Sequence, residues 1–132
     1  GASAEWLAGI DGYDLVLLDL PLGMAPVIPC RRLLVVNADA NCHVRLHRHP
    51  WAADERLLVT QFSSQRALQQ GLLDLWLAGG LPLLNLHLHR DEAMAEAMAA
   101  KLPVGRYAPT SLVAHELAAL ATWCLAEGEA PR

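Results

Sequence analysis

Lysine and long basic stretches are scarce in this sequence. Lys101 is the only lysine among 132 residues, and the formal net charge is −4, with 14 acidic residues against 10 Lys and Arg. A protein that binds nucleic acid through its phosphates carries a basic stripe on its surface. We therefore expect no nucleic-acid partner.

Cysteine is also scarce, and no apolar run is long. Cys30, Cys42 and Cys124 make an odd number and contain no C-x-x-C pair, so they indicate a reducing, cytoplasmic compartment rather than a disulfide framework. Asp, Arg, Asn or His interrupts every apolar stretch before the roughly 20 residues that a membrane-spanning helix needs. The chain opens at Gly1 without a methionine, which suggests either a fragment of a longer protein or a processed product.

The phosphate-binding loops of nucleotide-binding proteins are absent as well. The sequence contains neither G-x-x-x-x-G-K-[ST] nor G-x-G-x-x-G. This chain by itself is therefore not expected to cradle a triphosphate in the P-loop manner or to hydrolyse ATP alone.

Apolar runs alternate with amphipathic segments along the whole chain. Hydrophobic residues make up 54% and charged residues 18%, which favours a packed domain over disorder. Strands are predicted at 15–20 and beginning at Leu33, Glu55 and Leu81; helices are predicted at 41–48, after the N-caps Ser64 and Asp91, and from near Ser111. Strands without polar alternation are buried on both faces. The prediction is an α/β fold, a mostly parallel sheet flanked by helices in one partial domain over 1–132.

The helical segments predict which residues face the core. The inward positions read from the 3.6-residue period are Leu68, Leu72, Leu75 and Trp76, then Ala93, Met94, Ala97 and Met98, and finally Val113, Leu117, Leu120 and Cys124. Ligands of such sheets bind at the carboxyl ends of the strands. The segments that follow the strands are 19–23, 37–41, 60–64 and 87–91, and they are the candidate site.

Asp19 follows four apolar residues and begins the pattern D-x-P-x-G with Pro21 and Gly23. An acid at the end of a buried strand is typical of a Walker B aspartate, which holds Mg²⁺ directly or through water. A glycine there permits a loop that moves against a γ-phosphate. The alternative is an aspartate that only ends a strand and caps a turn.

Two polar clusters carry weaker indications. His43, His47 and His49 could form a metal-binding module, since His43 and His47 have the i, i+4 spacing of a chelating pair. Arg45 and Arg48 interleave with them and the usual further ligands are missing, which favours a solvated polar face. Cys42 is better explained as a small packing residue than as a nucleophile, because no orienting group stands at a recognisable spacing.

His89, Arg90 and Asp91 lie between a predicted strand and a helix start. They form either a helix cap or a segment that lines a nucleotide base.

Three stretches of the sequence resemble a known family. YDLVLLDLPLG at 13–23 resembles the switch II segment of the MinD/ParA superfamily of P-loop ATPases. VVNADANCHVRLH at 35–47, and the stretch from His89 to Leu125, are similar to the BcsQ family of cellulose-biosynthesis ATPases. The resemblance covers about Tyr13 to Leu125 and corresponds to the C-terminal half of that family.

The resemblance implies a function that spacing alone does not. Members are cytoplasmic ATPases that bind ATP and Mg²⁺ and form homodimers with nucleotide sandwiched between the subunits. They support assembly and positioning of the cellulose synthase complex at the inner membrane and cell pole, with other accessory proteins as partners, and are not glycosyltransferases. The alternative for this chain is a non-enzymatic scaffold that presents the DANCHVRLHRH face and the last helix to the complex.

The resemblance also assigns roles to single residues. It implies that Asp19 is the switch II acid that holds Mg²⁺ through water, with Pro21 and Gly23 in its loop. Thr60 stands where relatives often place an adenine-contacting Asn. Leu88, His89 and Asp91 match the segment that packs on the base in the family. Relatives often have Pro at the position of His89.

The superfamily fold predicts a gap in this chain. Its P-loop strand lies between the strand at 14–20 and the strand at 33–37, and this sequence contains no counterpart to it. The chain is therefore predicted to form an incomplete P-loop NTPase fold. Unpaired backbone groups are costly, so we expect 14–20 either to pair directly with 33–37 or to be held loosely.

Overall fold

The computed structural model describes residues 2–128, with side-chain exposure defined for 5–126. Three strands and six helices alternate through most of this range. In chain order they are α1 (Ala2–Ala8), β1 (Leu33–Asn37), α2 (Ala40–Arg48), β2 (Arg56–Phe62), α3 (Ala67–Ala78), β3 (Leu83–His89), α4 (Glu92–Ala99), α5 (Val104–Tyr107) and α6 (Leu112–Gly128).

The strands form one parallel sheet in the order β1-β2-β3. Leu33 of β1 pairs with Arg56 of β2, and this register continues without a break to Asn37 and Thr60. The β2–β3 ladder is less regular, with register shifts on both sides of Val59. A parallel sheet flanked by helices confirms the predicted fold class and the three strands predicted from Leu33, Glu55 and Leu81.

The central strand β2 is buried on both faces. Leu57 and Val59 pack with α2 and α3 in one cluster that contains Leu46 and Trp76. Leu58 points to the other face, where it joins Leu84, Leu88 and the inner side of α6 in a second cluster. Near-complete burial of β2 explains why its sequence shows no polar alternation.

Helix α6 covers only part of the second face of the sheet. Leu117, Leu120 and Trp123 of α6 pack against the β2–β3 side. Val35, in the edge strand β1, is 55% exposed. The β1 end of this face is therefore uncovered within the described residues.

Local hydrogen bonds explain where two helices begin. The carboxylate of Asp39 accepts a hydrogen bond from the Cys42 amide at 2.7 Å, which caps α2. Asp91 accepts one from the Ala93 amide at 2.9 Å, which caps α4 and confirms the predicted N-cap. Both bonds satisfy amides that have no partner inside the first helical turn.

A buried carboxylate joins the amino ends of the first two strands. Glu55 is 3% exposed and contacts the ring of His49. The Arg32 guanidinium lies 3.8 Å from its second oxygen. A carboxylate buried to this degree is stable only with such partners. His49 and Arg32 therefore compensate the charge of Glu55 at the amino edge of the sheet.

The predicted strand at 15–20 is wrong. Residues 15–20 are irregular and belong to no strand of the sheet, and they do not pair with β1. Leu17 is 78% exposed and Val16 is 46% exposed. The run has the composition of a buried strand, but a strand forms only where a neighbouring backbone accepts and donates its hydrogen bonds.

Several predicted helix details are also corrected. Helix α3 begins after Arg66, not after Ser64, and Leu68 and Leu75 are 62% and 53% exposed. Its buried residues are Leu72, Leu73 and Trp76. In α4 only the alanines of the predicted stripe are buried, while Met94 and Met98 are 40% and 79% exposed.

The short helices α1 and α5 were not predicted from the sequence. Val104 anchors α5 in a third cluster with Ala97 of α4 and Val113 of α6. Across the described part of the chain, no helix combines the length and apolar character needed to cross a bilayer.

Candidate functional site

Polar side chains from all three strands gather at the carboxyl edge of the sheet. Asn37 ends β1, Thr60 lies opposite it on β2, and His89 ends β3. The Thr60 hydroxyl lies 3.1 Å from Asn37 Oδ1 and donates to it, which leaves the amide nitrogen of Asn37 for other partners. The edge where this class of sheet binds ligands is therefore polar.

The backbone that follows Thr60 is unusual. Gln61 has a φ of +52°, a left-handed conformation that residues with a Cβ seldom adopt. The chain then turns, and the Ser63 amide donates to the side-chain oxygen of Gln69 at 2.6 Å. Such strained conformations concentrate at ligand sites, and this one lies between two of the strand ends.

His89 is held by a carboxylate from the last helix. The His89 backbone amide donates to Glu116, at 3.2 and 3.3 Å from its two oxygens. The ring Nδ1 of His89 lies 2.9 Å from Glu116 Oε2. Glu116 is only 9% exposed, so this pair joins β3 to α6 inside the protein.

Asp91 caps one helix and tethers another. One carboxylate oxygen accepts from the Ala93 amide of α4, and the other accepts from the Val113 amide of α6 at 3.3 Å. Both oxygens of Asp91 are thus used inside the protein. Leu88 is 7% exposed and packs in the core beside α6. Of the three predicted base-contacting residues, only His89 offers an unused polar side-chain atom.

His87 lies beside this cluster and is half-buried. Its Nδ1 is buried and has no hydrogen-bond partner. Burial, and then the nearby His89, lower the pKa of His87 below its ordinary value of 6.5. The ring centroids of His87 and His89 lie 5.6 and 5.5 Å from that of Phe62, which is itself a buried residue of the core.

Asp19, Pro21 and Gly23 lie outside the sheet. All three are exposed, and Gly23 adopts a φ of +82° that suits its predicted place in a loop. Because no strand forms at 15–20, the structure does not bring Asp19 to the carboxyl edge. Thr60 and His89 are brought to that edge. The roles predicted for all these residues stay predictions.

The histidines of α2 are placed differently. The Trp76 indole N–H donates to His43 Nδ1 at 3.0 Å. Because an indole nitrogen can only donate, the neutral His43 ring carries its proton on Nε2, which then has no lone pair for a metal. Among the described residues, no three His, Cys, Asp or Glu side chains come together as a metal site.

Cys42 is partly buried next to this histidine. Burial is the main cause that raises the pKa of its thiol above the ordinary value of 9.0. A thiol with a raised pKa is mostly protonated at neutral pH and is a poor nucleophile. The geometry favours the packing role over the nucleophilic one.

The sequence motifs do not identify Glu116 as a site residue. The predicted stripe Val113, Leu117, Leu120 places position 116 on the same inward side of the helix, one turn before Leu120. A charged residue on a buried helix face requires a partner, and that was the signal available in the sequence.

The geometry defines an α/β protein with a polar site at the carboxyl ends of parallel strands. Residues 3–125 match the family described as "Cellulose biosynthesis protein BcsQ". The chain is 40% identical over 131 residues to the cellulose biosynthesis protein BcsQ of Salmonella typhimurium, covering 95% of this chain and 52% of the relative. It is also 40% identical over 119 residues to the cellulose biosynthesis protein BcsQ of Escherichia coli K12, covering 86% and 48%.

The chain belongs to the BcsQ family. It spans about half the length of the curated relatives that it matches.

Proposed function

We propose that this chain is the C-terminal part of a MinD/ParA-like P-loop ATPase that supports bacterial cellulose biosynthesis. Its membership of the BcsQ family supports the cellulose role. The observation that supports nucleotide binding is the placement of Asn37, Thr60 and His89 along the carboxyl edge of a parallel sheet. On this proposal the edge faces the base, and the rest of the protein supplies the phosphate contacts.

In the complete protein, a P-loop strand would lie between 14–20 and β1. This arrangement accounts for two features of the chain at once. β1 is an edge strand, and the apolar run at 15–20 is exposed and lacks a strand partner in the described residues. Pairing would order the run and carry Asp19 to the end of a strand beside the other strand ends.

The residues present fit the implied cofactor in part. Asp19 supplies one exposed carboxylate, which suits Mg²⁺ because this ion takes one or two carboxylates and keeps several waters. When bound, ATP with Mg²⁺ would supply the free energy that stabilises a homodimer. Asp19 would hold Mg²⁺ through water, and the loop with Pro21 and Gly23 would respond to the γ-phosphate. This chain provides no P-loop for the phosphates.

The proposed dimer would act at the cytoplasmic side of the inner membrane and at the cell pole. There it would help to assemble and position the cellulose synthase complex with other accessory proteins. It would bind as a peripheral protein and would not itself transfer glucose.

The test is Asp19→Ala in the complete protein, with Mg²⁺–ATP-dependent dimerisation measured by light scattering. We expect the variant to stay monomeric at ATP concentrations that dimerise the wild type. Asp14→Ala, an exposed acid in the same segment, is the matched control and should dimerise normally. Unchanged dimerisation and turnover in Asp19→Ala would remove Asp19 from this role.

A non-enzymatic scaffold is the second candidate, and the exposed apolar surface near the start of the chain favours it. Trp6, Leu18, Leu20, Met24 and Val27 line an open groove of about 450 Å³. Such a surface is typical of a protein–protein contact. A complete protein that binds no nucleotide but still joins the synthase complex would favour the scaffold.

A further inference from the structure

Glu116 has a geometry that helix packing alone does not require. It is 9% exposed, and both of its oxygens receive hydrogen bonds from a single residue, His89. An ionised carboxylate only accepts hydrogen bonds, so the ring nitrogen that faces it must donate. The Nδ1 of His89 therefore carries a proton.

This contact sets the tautomer of His89. With the proton on Nδ1, the neutral ring presents Nε2 as a lone pair that accepts a hydrogen bond. The edge-on contact with Phe62, at a centroid distance of 5.5 Å, restrains the ring further. The side chain keeps 35% of its surface accessible, so a ligand can reach it.

The other two side chains that the resemblance assigns to the base are already engaged. Both oxygens of Asp91 accept from backbone amides, and Leu88 is buried against α6. Among the side chains of residues 88, 89 and 91, His89 Nε2 is thus the polar atom that carries no hydrogen bond and can serve a molecule at the carboxyl edge.

We propose that Glu116 is a positioning residue that makes His89 Nε2 the hydrogen-bond acceptor for the 6-amino group of a bound purine. The proposal rests on the nucleotide-binding function above. An amino group at this position donates to Nε2. A 6-keto oxygen at the same position would face His89 Nε2, and both atoms are acceptors. No hydrogen bond could form, and the lone pair of Nε2 would lose its water without gaining a partner.

The test compares ATP with inosine triphosphate, which has a keto oxygen in place of the 6-amino group. Affinities are measured by calorimetry with Mg²⁺ on the complete protein and on Glu116→Gln. A glutamine keeps the shape and still accepts from the His89 amide, but its NH₂ can donate to Nδ1 and allow the opposite tautomer. We expect the wild type to prefer ATP and the variant to lose about five- to tenfold of that preference.

Two further variants separate positioning from general damage. Glu96→Gln makes the same change at an exposed glutamate that accepts from the Tyr107 hydroxyl, and should keep the wild-type preference. His89→Phe keeps a ring against Phe62 but removes Nε2, and should lose the preference. The double variant Glu116→Gln/His89→Phe should show the same preference as His89→Phe alone, because Glu116 acts only through His89. If Glu116→Gln acted through general damage instead, its effect on nucleotide binding would add to that of His89→Phe.

The outcomes distinguish this inference from the function on which it rests. If Glu116→Gln folds and keeps the wild-type preference, or if His89→Phe keeps it, the positioning role is overturned while nucleotide binding stands. If the wild-type protein binds neither nucleotide, the proposed function and this inference both fail.

Discussion

At the scale of single residues, Trp76 shows how one buried polar atom can depend on one neighbour. Its side chain is 2% exposed, and its indole N–H donates to His43 on α2. Removal of the acceptor would leave a buried donor without a partner, which costs about 1–3 kcal/mol. The contact therefore joins α2 to α3 through a bond that the sequence pattern does not reveal.

We predict that His43→Phe lowers the free energy of unfolding by about 1–3 kcal/mol, because the ring remains but the acceptor is lost. Urea unfolding followed by tryptophan fluorescence measures the change. His47→Phe, at an exposed position on the same helix, should change the stability by less than about 0.5 kcal/mol. Equal effects of the two substitutions would contradict the importance of the indole hydrogen bond.

His87 should make the stability of the protein depend on pH. Burial lowers the pKa of His87 in the folded state. At a pH between this lowered pKa and the ordinary value of 6.5, His87 therefore binds more protons in the unfolded chain than in the folded protein. The contribution of His87 to stability is therefore complete above about pH 6.5 and is lost progressively as the pH falls through the folded pKa.

We predict that His87→Gln reduces the loss of stability between pH 7.5 and pH 5, since glutamine does not titrate. Urea unfolding at several pH values measures this slope for both proteins. His115→Gln, on the exposed side of α6, should keep the wild-type slope. The same slope in His87→Gln as in the wild type would show that another group governs the acid sensitivity.

At the scale of secondary-structure elements, Asp91 coordinates the starts of two helices. The sequence predicted its cap on α4, since the residue immediately precedes that helix. It did not predict the bond to the Val113 amide of α6, which lies 22 residues further along the chain. Local patterns identify caps, whereas contacts between distant elements depend on tertiary packing.

We predict that Asp91→Asn destabilises the protein by about 1 kcal/mol, because one oxygen still caps α4 but the second acceptor is replaced by a donor. Hydrogen exchange should accelerate at the Val113 amide more than at Ala93. Asp74→Asn, at an exposed position on α3, is the control and should leave both amides unchanged. An unchanged rate at Val113 would argue against the tether.

The sequence predicted which helices and strands form better than it predicted which of their residues are buried. In α4 the period was correct, but the buried residues are the small Ala93 and Ala97, while Met94 and Met98 point to solvent. Alanines allow α4 to pack closely, with Ala97 in the same cluster as Val113 of α6. Hydrophobicity alone ranks methionine as the more buried residue, and this is why the prediction failed.

At the scale of the whole molecule, the proposed ATPase fold would give the failed strand at 15–20 and the open edge of β1 a common explanation. The chain spans about half the length of the relatives that it matches. On the proposal, the strand that pairs with 15–20 lies outside this chain, and a strand cannot be assigned from its own residues without its partner. β2 and β3 were predictable because both partners are present. The same limit applies to the site, where Thr60 and His89 gather at one edge while Asp19 does not join them.

The most direct test of the account is binding of a fluorescent ATP analogue with Mg²⁺, measured for this chain alone and for the same chain completed with the proposed N-terminal half that carries the P-loop. We predict that only the completed protein binds, because on the proposed function this chain supplies the base-facing edge and its sequence has no phosphate-binding loop. Tight binding by this chain alone would contradict the account of the phosphate contacts. Binding by neither protein would contradict the nucleotide switch itself and favour the scaffold.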